Sequence, residues 1–279
     1  MPCWFRFMIR IDTDKGWLLV EHPEHARLAG RFAARWGNDE FVAPEPRPEI
    51  LFAVDHHDDA WAERDVPPHL TRDSRPSAFT RELVGKYSAF EEIDLADYLG
   101  VRGRATEAVA AAHPYAAIII SMHTVDLLTN QADLTRLSEA DRALHKKFID
   151  GQVRRQSELF VDLSSQRGYE RSLEAASLRE AFDFLQACDS LSLTSCVRYP
   201  SPIPLRGRHA RRSGPAAELT CTPLGGDTYR ISPYPFDSDD FTEEARCRHV
   251  AAGSFSDLAS FRAAYAAAPV GVLPVRIVR

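Results

Sequence analysis

The sequence predicts a mainly α protein: a helical bundle that carries a small antiparallel β appendage, α+β overall. Three observations predict it. Apolar residues recur at helical spacing through most of the first 200 positions, a short hairpin pattern opens the chain, and beyond residue 200 the texture turns to prolines, glycines and short β-prone pieces. That change divides the 279 residues into a helical part with the N-terminal hairpin, residues 1–200, and a β-rich part, residues 201–279, packed on the same domain.

The elements follow in order. "FRFMIRI" and "GWLLV" read as a hairpin turning over residues 12–16, with Met8 an alternative start. The first helix runs from Pro23 to Trp36: Pro23 suits the first helical position, and Gly37-Asn38 suits the stop. A second helix runs from about Pro48 to Glu63, where "PPHL" ends it. "DVPPHLTRDSRPSAFT" is loop chemistry, and "RELVGKYSAFEEIDLADYLG" and "RATEAVAAA" are helical. After His113-Pro114 comes a buried helix, "YAAIIISMHTVDLL", then a long amphipathic one capped by Ser138. "SLREAFDFLQACDSLSLTSC" makes another, opening with Ser177 and Glu180 at capping-box spacing. "ELTCTPL", "DTYRIS", "ARCRHVAA" and "VLPVRIV" supply strands that the N-terminal hairpin joins, with "DLASFRAAYAA" as a last helix. The one basic cluster, "RGRHARR" at 206–212, reads as a solvated loop.

Composition narrows the function. Hydrophobic residues at 44% and charged residues at 27% describe an ordered globular chain, and a net charge of -6 argues against nucleic-acid binding, which needs cations to neutralise phosphates. Five cysteines (Cys3, Cys188, Cys196, Cys221 and Cys247) are odd in number and lack CxxC spacing, so neither a disulfide framework nor a thiolate zinc site is expected. "MPCWFRFMIR" is no signal peptide, and "AAIIISM" is too short to span a bilayer. The expectation is a cytoplasmic protein with a small-molecule substrate and neither nucleic acid nor membrane as partner; homo-oligomerisation stays open.

The stretch "AVDHHDDAW", residues 53–61, carries the chemistry. On a helical wheel Ile50, Leu51, Val54 and Trp61 form one stripe; His57 and Asp58 fall inside it, while His56 and Asp59 fall at its rim. In the first helix the stripe of Leu28, Ala29, Phe32, Ala33 and Trp36 continues to His25, with His22 ranked below it. In the late helix Asp189 sits among Leu178, Phe182, Leu185, Leu193 and Cys196. Three helices thus each put an ionisable group where an apolar one belongs. Burying an unpaired carboxylate costs several kcal/mol, so something must compensate. A buried His–Asp pair with a hydrogen-bonded Asp189 is one solution; one divalent ion (Mn, Fe, Ni, Co or Zn) held by His25, His57, Asp58 and Asp189 is the other.

The order His, then HisAsp, then a distant Asp resembles the HD superfamily of metal-dependent phosphohydrolases. More closely, "EHARLAGRFAARWG", "HDDAW", "PYAAIIISMH" and "LQACDSLSL" resemble an uncharacterised bacterial family with an HDDGW signature, in which Ala60 here replaces the glycine. The resemblance implies an HD-domain-like bundle and the ligand set His25, His57, Asp58 and Asp189. In two-ion members further histidines hold a second ion. His123, on a helix apolar nearly all round, is the candidate for one here, ahead of His145 and His113.

The function expected is hydrolysis of a phosphoester in a small phosphorylated metabolite or nucleotide by a metal-activated water. Asp59 and His56 are the candidates for proton transfer at the rim, and Arg27 or Arg31 for holding the substrate's anionic groups. Two other readings stand beside it: a di-iron oxygenase cleaving a C–C or C–P bond, and a non-catalytic structural or sensor module.

Overall fold

The N-terminal hairpin joins one side of a large sheet. A computed structural model describes residues 8–71, 73–84, 94–135, 137–253, 255 and 257–279; Cys3, the start of "FRFMIRI" and residues 85–93 of the expected helical stretch lie outside them. Strand β1 (Met8–Thr13) pairs antiparallel with β2 (Gly16–Val20), and β3 (Ala78–Phe79) joins β1 in parallel. The C-terminal strands are β4 (Ile203–His209), β5 (Ala217–Gly225), β6 (Thr228–Ser232), β7 (Asp240–Ala251) and β8 (Val270–Val278). β2 pairs with β7, and the full order is β3-β1-β2-β7-β8-β6-β5-β4, with β6 parallel to β8. Gly16 sits where the hairpin turn meets β7: at φ 140° a Cβ there would lie 2.1 Å from the Val250 carbonyl oxygen.

This corrects the expected fold class. With 47% helix, 24% strand and one curled, mixed, eight-stranded sheet, the protein is α+β with a major sheet, not a mainly α bundle with a small antiparallel appendage. Strand pairing is the reason. The N-terminal hairpin finds its partner at the other end of the chain, with Leu18 opposite His249, and that one joint merges the pieces into a single sheet.

The helices are α1 (His22–Ala34), α2 (Arg47–His56), α3 (Ala62–Asp65), α4 (Leu95–Ala110), α5 (Pro114–Thr129), α6 (Glu139–Ser164), α7 (Ala175–Cys196) and α8 (Leu258–Ala267). None is long and apolar enough to cross a membrane. α1 starts at His22, one residue before the expected Pro23, and ends at Ala34, short of the expected Trp36; Ser138 caps α6 by accepting from the Asp141 N–H, as expected. The helix expected over 48–63 is instead broken. α2 stops at His56, Asp58 leaves helical geometry at φ -117° and ψ 16°, and a 3-10 turn over Asp59–Trp61 leads into α3. The expected capping box of Ser177 and Glu180 does not form, because α7 begins earlier, after Glu174. Nor is "RGRHARR" a solvated loop. Its first residues belong to β4, which crosses α7 so closely that a Cβ on Gly207 would meet Asp183, and Arg211 and Arg212 are tied to residues 38–40.

One apolar core runs from Ile9 and Val20 through Phe32, Ile119 and Leu185 to Leu205, Cys221 and Ile277, so the helices and the sheet share it. His209 is buried at its border, 4% exposed, against Trp36 and the Arg206 carbonyl. Burial pushes its imidazole down to about 4, whereas an unfolded histidine titrates near 6.5. The stabilisation from keeping it neutral is therefore complete above pH ~6.5 and is lost as pH falls towards 4. Denaturant unfolding of the wild type and of His209→Gln should show the wild-type advantage shrinking by about 2 kcal/mol between pH 7 and pH 4.5. A constant difference would mean that His209 does not titrate this way.

Candidate metal centre

Four elements bring the candidate ligands together. His25 lies one turn into α1 on the face of Leu28, Ala29 and Phe32; His57 follows the end of α2; Asp58 occupies the break; His123 comes from α5 and Asp189 from α7. The ligand atoms of His25, His57 and Asp58 lie within 4.8 Å of one another, as do those of His57, His123 and Asp189. His25 Nε2 is 3.2 Å from Asp58 Oδ2 and 3.7 Å from Asp189 Oδ1. His57 Nε2 is 3.3 Å from Asp189 Oδ1 and 3.8 Å from Asp58 Oδ2. All five residues expected to bind metal thus fall into two adjoining groupings that share His57, with only Asp189 short of full burial.

Outer contacts decide which nitrogen of each ring faces the cluster. His57 Nδ1 lies 2.7 Å from the Val54 carbonyl, which can only accept, so the proton sits on Nδ1. The Ser192 hydroxyl donates to the His25 carbonyl at 2.6 Å, so its oxygen accepts from His25 Nδ1 at 3.2 Å. Gln186 donates its amide N–H to Asp126 at 2.7 Å, which turns its carbonyl oxygen to His123 Nδ1 at 3.0 Å. Each ring therefore keeps its Nδ1 proton and turns Nε2 to the cluster, the arrangement that orients imidazoles towards a metal.

Acceptors then face acceptors. His57 is 0% exposed, and its Nε2 has no hydrogen-bond partner. Burial opposes charge on every group here, yet Asp58 and Asp189 push His57 up to about 9. Arg102 and His57 hold Asp58 well below the usual carboxylate range, and His57 does the same for Asp189. Burial keeps His25 low and takes His123 down to about 4. The cluster thus draws positive charge to its centre. A proton on one nitrogen would meet only part of that demand. A divalent cation would meet three lone pairs and two carboxylates together, so the donor set fits one.

Arg102 was not singled out by the sequence reading. Its Nη1 donates to Asp58 Oδ1 at 2.8 Å, its Nε reaches Tyr98 Oη at 3.4 Å, and the guanidinium lies 5.0 Å from the Trp61 ring centre. The signal was available, because Arg102 falls on the buried stripe of Leu95, Tyr98, Ala105 and Val109 on α4. Ser192 and Gln186, equally missed, are small or neutral polar residues on a buried face, with no pattern of their own.

The other candidates lie apart from the cluster. His56 Nδ1 bonds Asp59 Oδ2 at 2.5 Å, and Asp59 Oδ1 meets Arg27 Nη2 at 2.8 Å, so His56, Asp59 and Arg27 form a half-exposed rim network. Arg31 is tied to Glu243 and the Glu244 carbonyl. His145 bonds the Leu128 carbonyl, and His113 stacks on Phe52 beside Glu49; neither joins the five. His22, ranked low, is closer: it stacks on Trp61, meets the His25 ring edge-on, and pairs at 3.1 Å with Asp65, which is fully buried. Burial raises Asp65, and Asp65 raises His22 against burial, so the two compete for one proton. Because Asp65 also accepts the His22 backbone N–H, the geometry favours carboxylate and imidazolium.

Residues 8–252 match a family model described as "Protein of unknown function (DUF3891)". No curated protein and no solved structure matches the chain.

If the cluster holds a cation, Mn²⁺, Co²⁺, Ni²⁺ or Zn²⁺ at about 100 times its dissociation constant should stabilise chelator-treated protein by ~2.7 kcal/mol, a rise in Tm of roughly 5–10 °C. His57→Ala should abolish the rise. A Tm indifferent to all four ions would argue against the site.

Proposed function

We propose that this chain, which belongs to the DUF3891 family, is a metal-dependent hydrolase of the HD type that cleaves a phosphoester in a small phosphorylated metabolite or nucleotide. The observation that carries the reading is the meeting of His25, His57 and His123 with Asp58 and Asp189 in two groupings that share the fully buried His57. Its ligand order, His25, then His57-Asp58, then Asp189, is the one the HD resemblance implies.

His25, His57, Asp58 and Asp189 would hold a divalent cation, which when bound would lower the pKa of a water and polarise a phosphoryl oxygen. The chain's own groups do the rest. Ser192, the Val54 carbonyl and Gln186 hold protons on the outer nitrogens, which keeps every Nε2 free to bind. Arg102 fixes Asp58 by its other oxygen, so the carboxylate presents Oδ2 inward. The core around Ile119 and Leu185 excludes bulk water, which strengthens each of these contacts. Asp189, at 15% side-chain exposure, is the most open of the four ligands in these ion pairs, and it marks the side from which substrate approaches. On the rim His56 and Asp59 share a hydrogen bond, and this pair is the one we assign to proton transfer.

The same enclosure favours one competitor, a structural ion without turnover. Asp58→Asn separates the two. With a panel of phosphoesters and nucleotides and with metal supplied, the wild type should release product or phosphate. The variant should lose more than about a hundredfold, beyond what an outer-shell partner costs, while keeping its far-UV circular dichroism. An inactive wild type together with an unfolded variant would support the structural ion instead.

A further inference from the structure

We propose that the centre takes one cation and that the Arg102 guanidinium stands where a second would bind. The inference rests on the cation reading above, but it concerns the number of ions rather than the reaction.

His57 belongs to both ligand groupings, with His25 and Asp58 on one side and His123 and Asp189 on the other. Two groupings invite two ions. However, the Nδ1 of His57 is committed to the Val54 carbonyl, so the ring offers a single lone pair, on the fully buried and otherwise unpartnered Nε2. One lone pair serves one ion. The spacings of four of the donors allow it: donors about 2.1 Å from a common ion lie roughly 3.0–4.2 Å apart in octahedral or tetrahedral geometry, and the contacts linking His25, His57, Asp58 and Asp189 run from 3.2 to 3.8 Å. Asp189 of the second grouping thus lies within reach of the ion that His25, His57 and Asp58 would hold.

A second ion beside the first needs a carboxylate to bridge them. Asp58 is placed for that, with Oδ2 turned inward, but its Oδ1 already accepts from Arg102 Nη1 at 2.8 Å. The guanidinium is locked there: it is buried, lies between the Trp61 and Tyr98 rings at 5.0 and 5.6 Å, and reaches Tyr98 Oη through Nε. The nearby His22 and Asp65 neutralise each other rather than completing a second sphere. Among the described residues no third grouping of ligands comes together. Charge points the same way. One divalent ion and Arg102 against two carboxylates leave a single positive charge, suited to an anionic substrate; a second ion would leave three in a largely buried site.

The test loads the chelator-stripped full chain with excess Mn²⁺, removes free metal, and measures metal per chain and the electron paramagnetic resonance spectrum. One ion per chain with an isolated six-line Mn²⁺ signal is expected. Two ions with an exchange-coupled spectrum would overturn the proposal, and binding of none would overturn it together with the reading it rests on. In Arg102→His, an imidazole replaces the fixed cation, and the count should rise from one to two; a folded variant that still takes one ion would overturn the role given to Arg102. If that variant does not fold, Arg102→Gln is measured the same way, and the wild-type count alone decides the number of ions. One ion without phosphoester turnover leaves this inference standing and removes the proposed function; two ions with turnover do the reverse.

Discussion

Two carboxylates held in an apolar core opposite imidazole lone pairs repel one another unless positive charge lies between them. Everything else about the centre follows from that requirement. Asp58 and Asp189 approach His25 and His57 within 3.2 to 3.8 Å, and each of the three rings has its proton drawn to the outside by Val54, Ser192 or Gln186. Apart from the Arg102 contact to Asp58, an arrangement that gathers this much negative potential in the interior is costly for a protein with a stability margin of roughly 5–15 kcal/mol. It becomes favourable once a cation occupies the middle. The outer hydrogen bonds then act as supports for ligands rather than as isolated polar contacts.

The short motif His57-Asp58-Asp59-Ala60-Trp61 gains a physical meaning in this light. His57 and Asp58 face inward. Asp59 turns outward to His56 and Arg27. Trp61 reaches the centre indirectly, because its ring supports both the guanidinium that grips Asp58 and the His22 ring beside His25. The break in the chain at Asp58 makes this division possible, since a continuous helix would carry Asp58 and Asp59 only 100° apart on one cylinder. The major sheet contributes at a distance: α1 lies against β7 and α7 against β4, which fixes the two helices that carry His25 and Asp189.

Much of the centre was legible in the sequence because its residues interrupt apolar stripes. Periodicity alone brought His25, His57 and Asp189 inward, and an almost wholly apolar α5 made His123 a candidate. Asp58 reached the inside by a different route from the one the wheel implied, through the helix break. Arg102 passed unnoticed because an arginine on a helix ordinarily extends to water, and only its carboxylate partner, distant in sequence, makes its burial intelligible. The sheet was the least legible feature. Alternation identifies a strand but not its neighbour, and the joint between β2 and β7 links opposite ends of the chain, so an eight-stranded sheet read as scattered short pieces.

Crystals of the metal-loaded protein, with anomalous diffraction recorded on either side of the metal absorption edge, test the cation requirement most directly. The expected result is one anomalous peak about 2.0–2.3 Å from the Nε2 atoms of His25, His57 and His123 and from a carboxylate oxygen of each of Asp58 and Asp189. Density with no anomalous signal at that point, and with His57 Nε2 hydrogen-bonded to Asp189 in its place, would contradict it: a proton would then be the only positive charge the cluster needs.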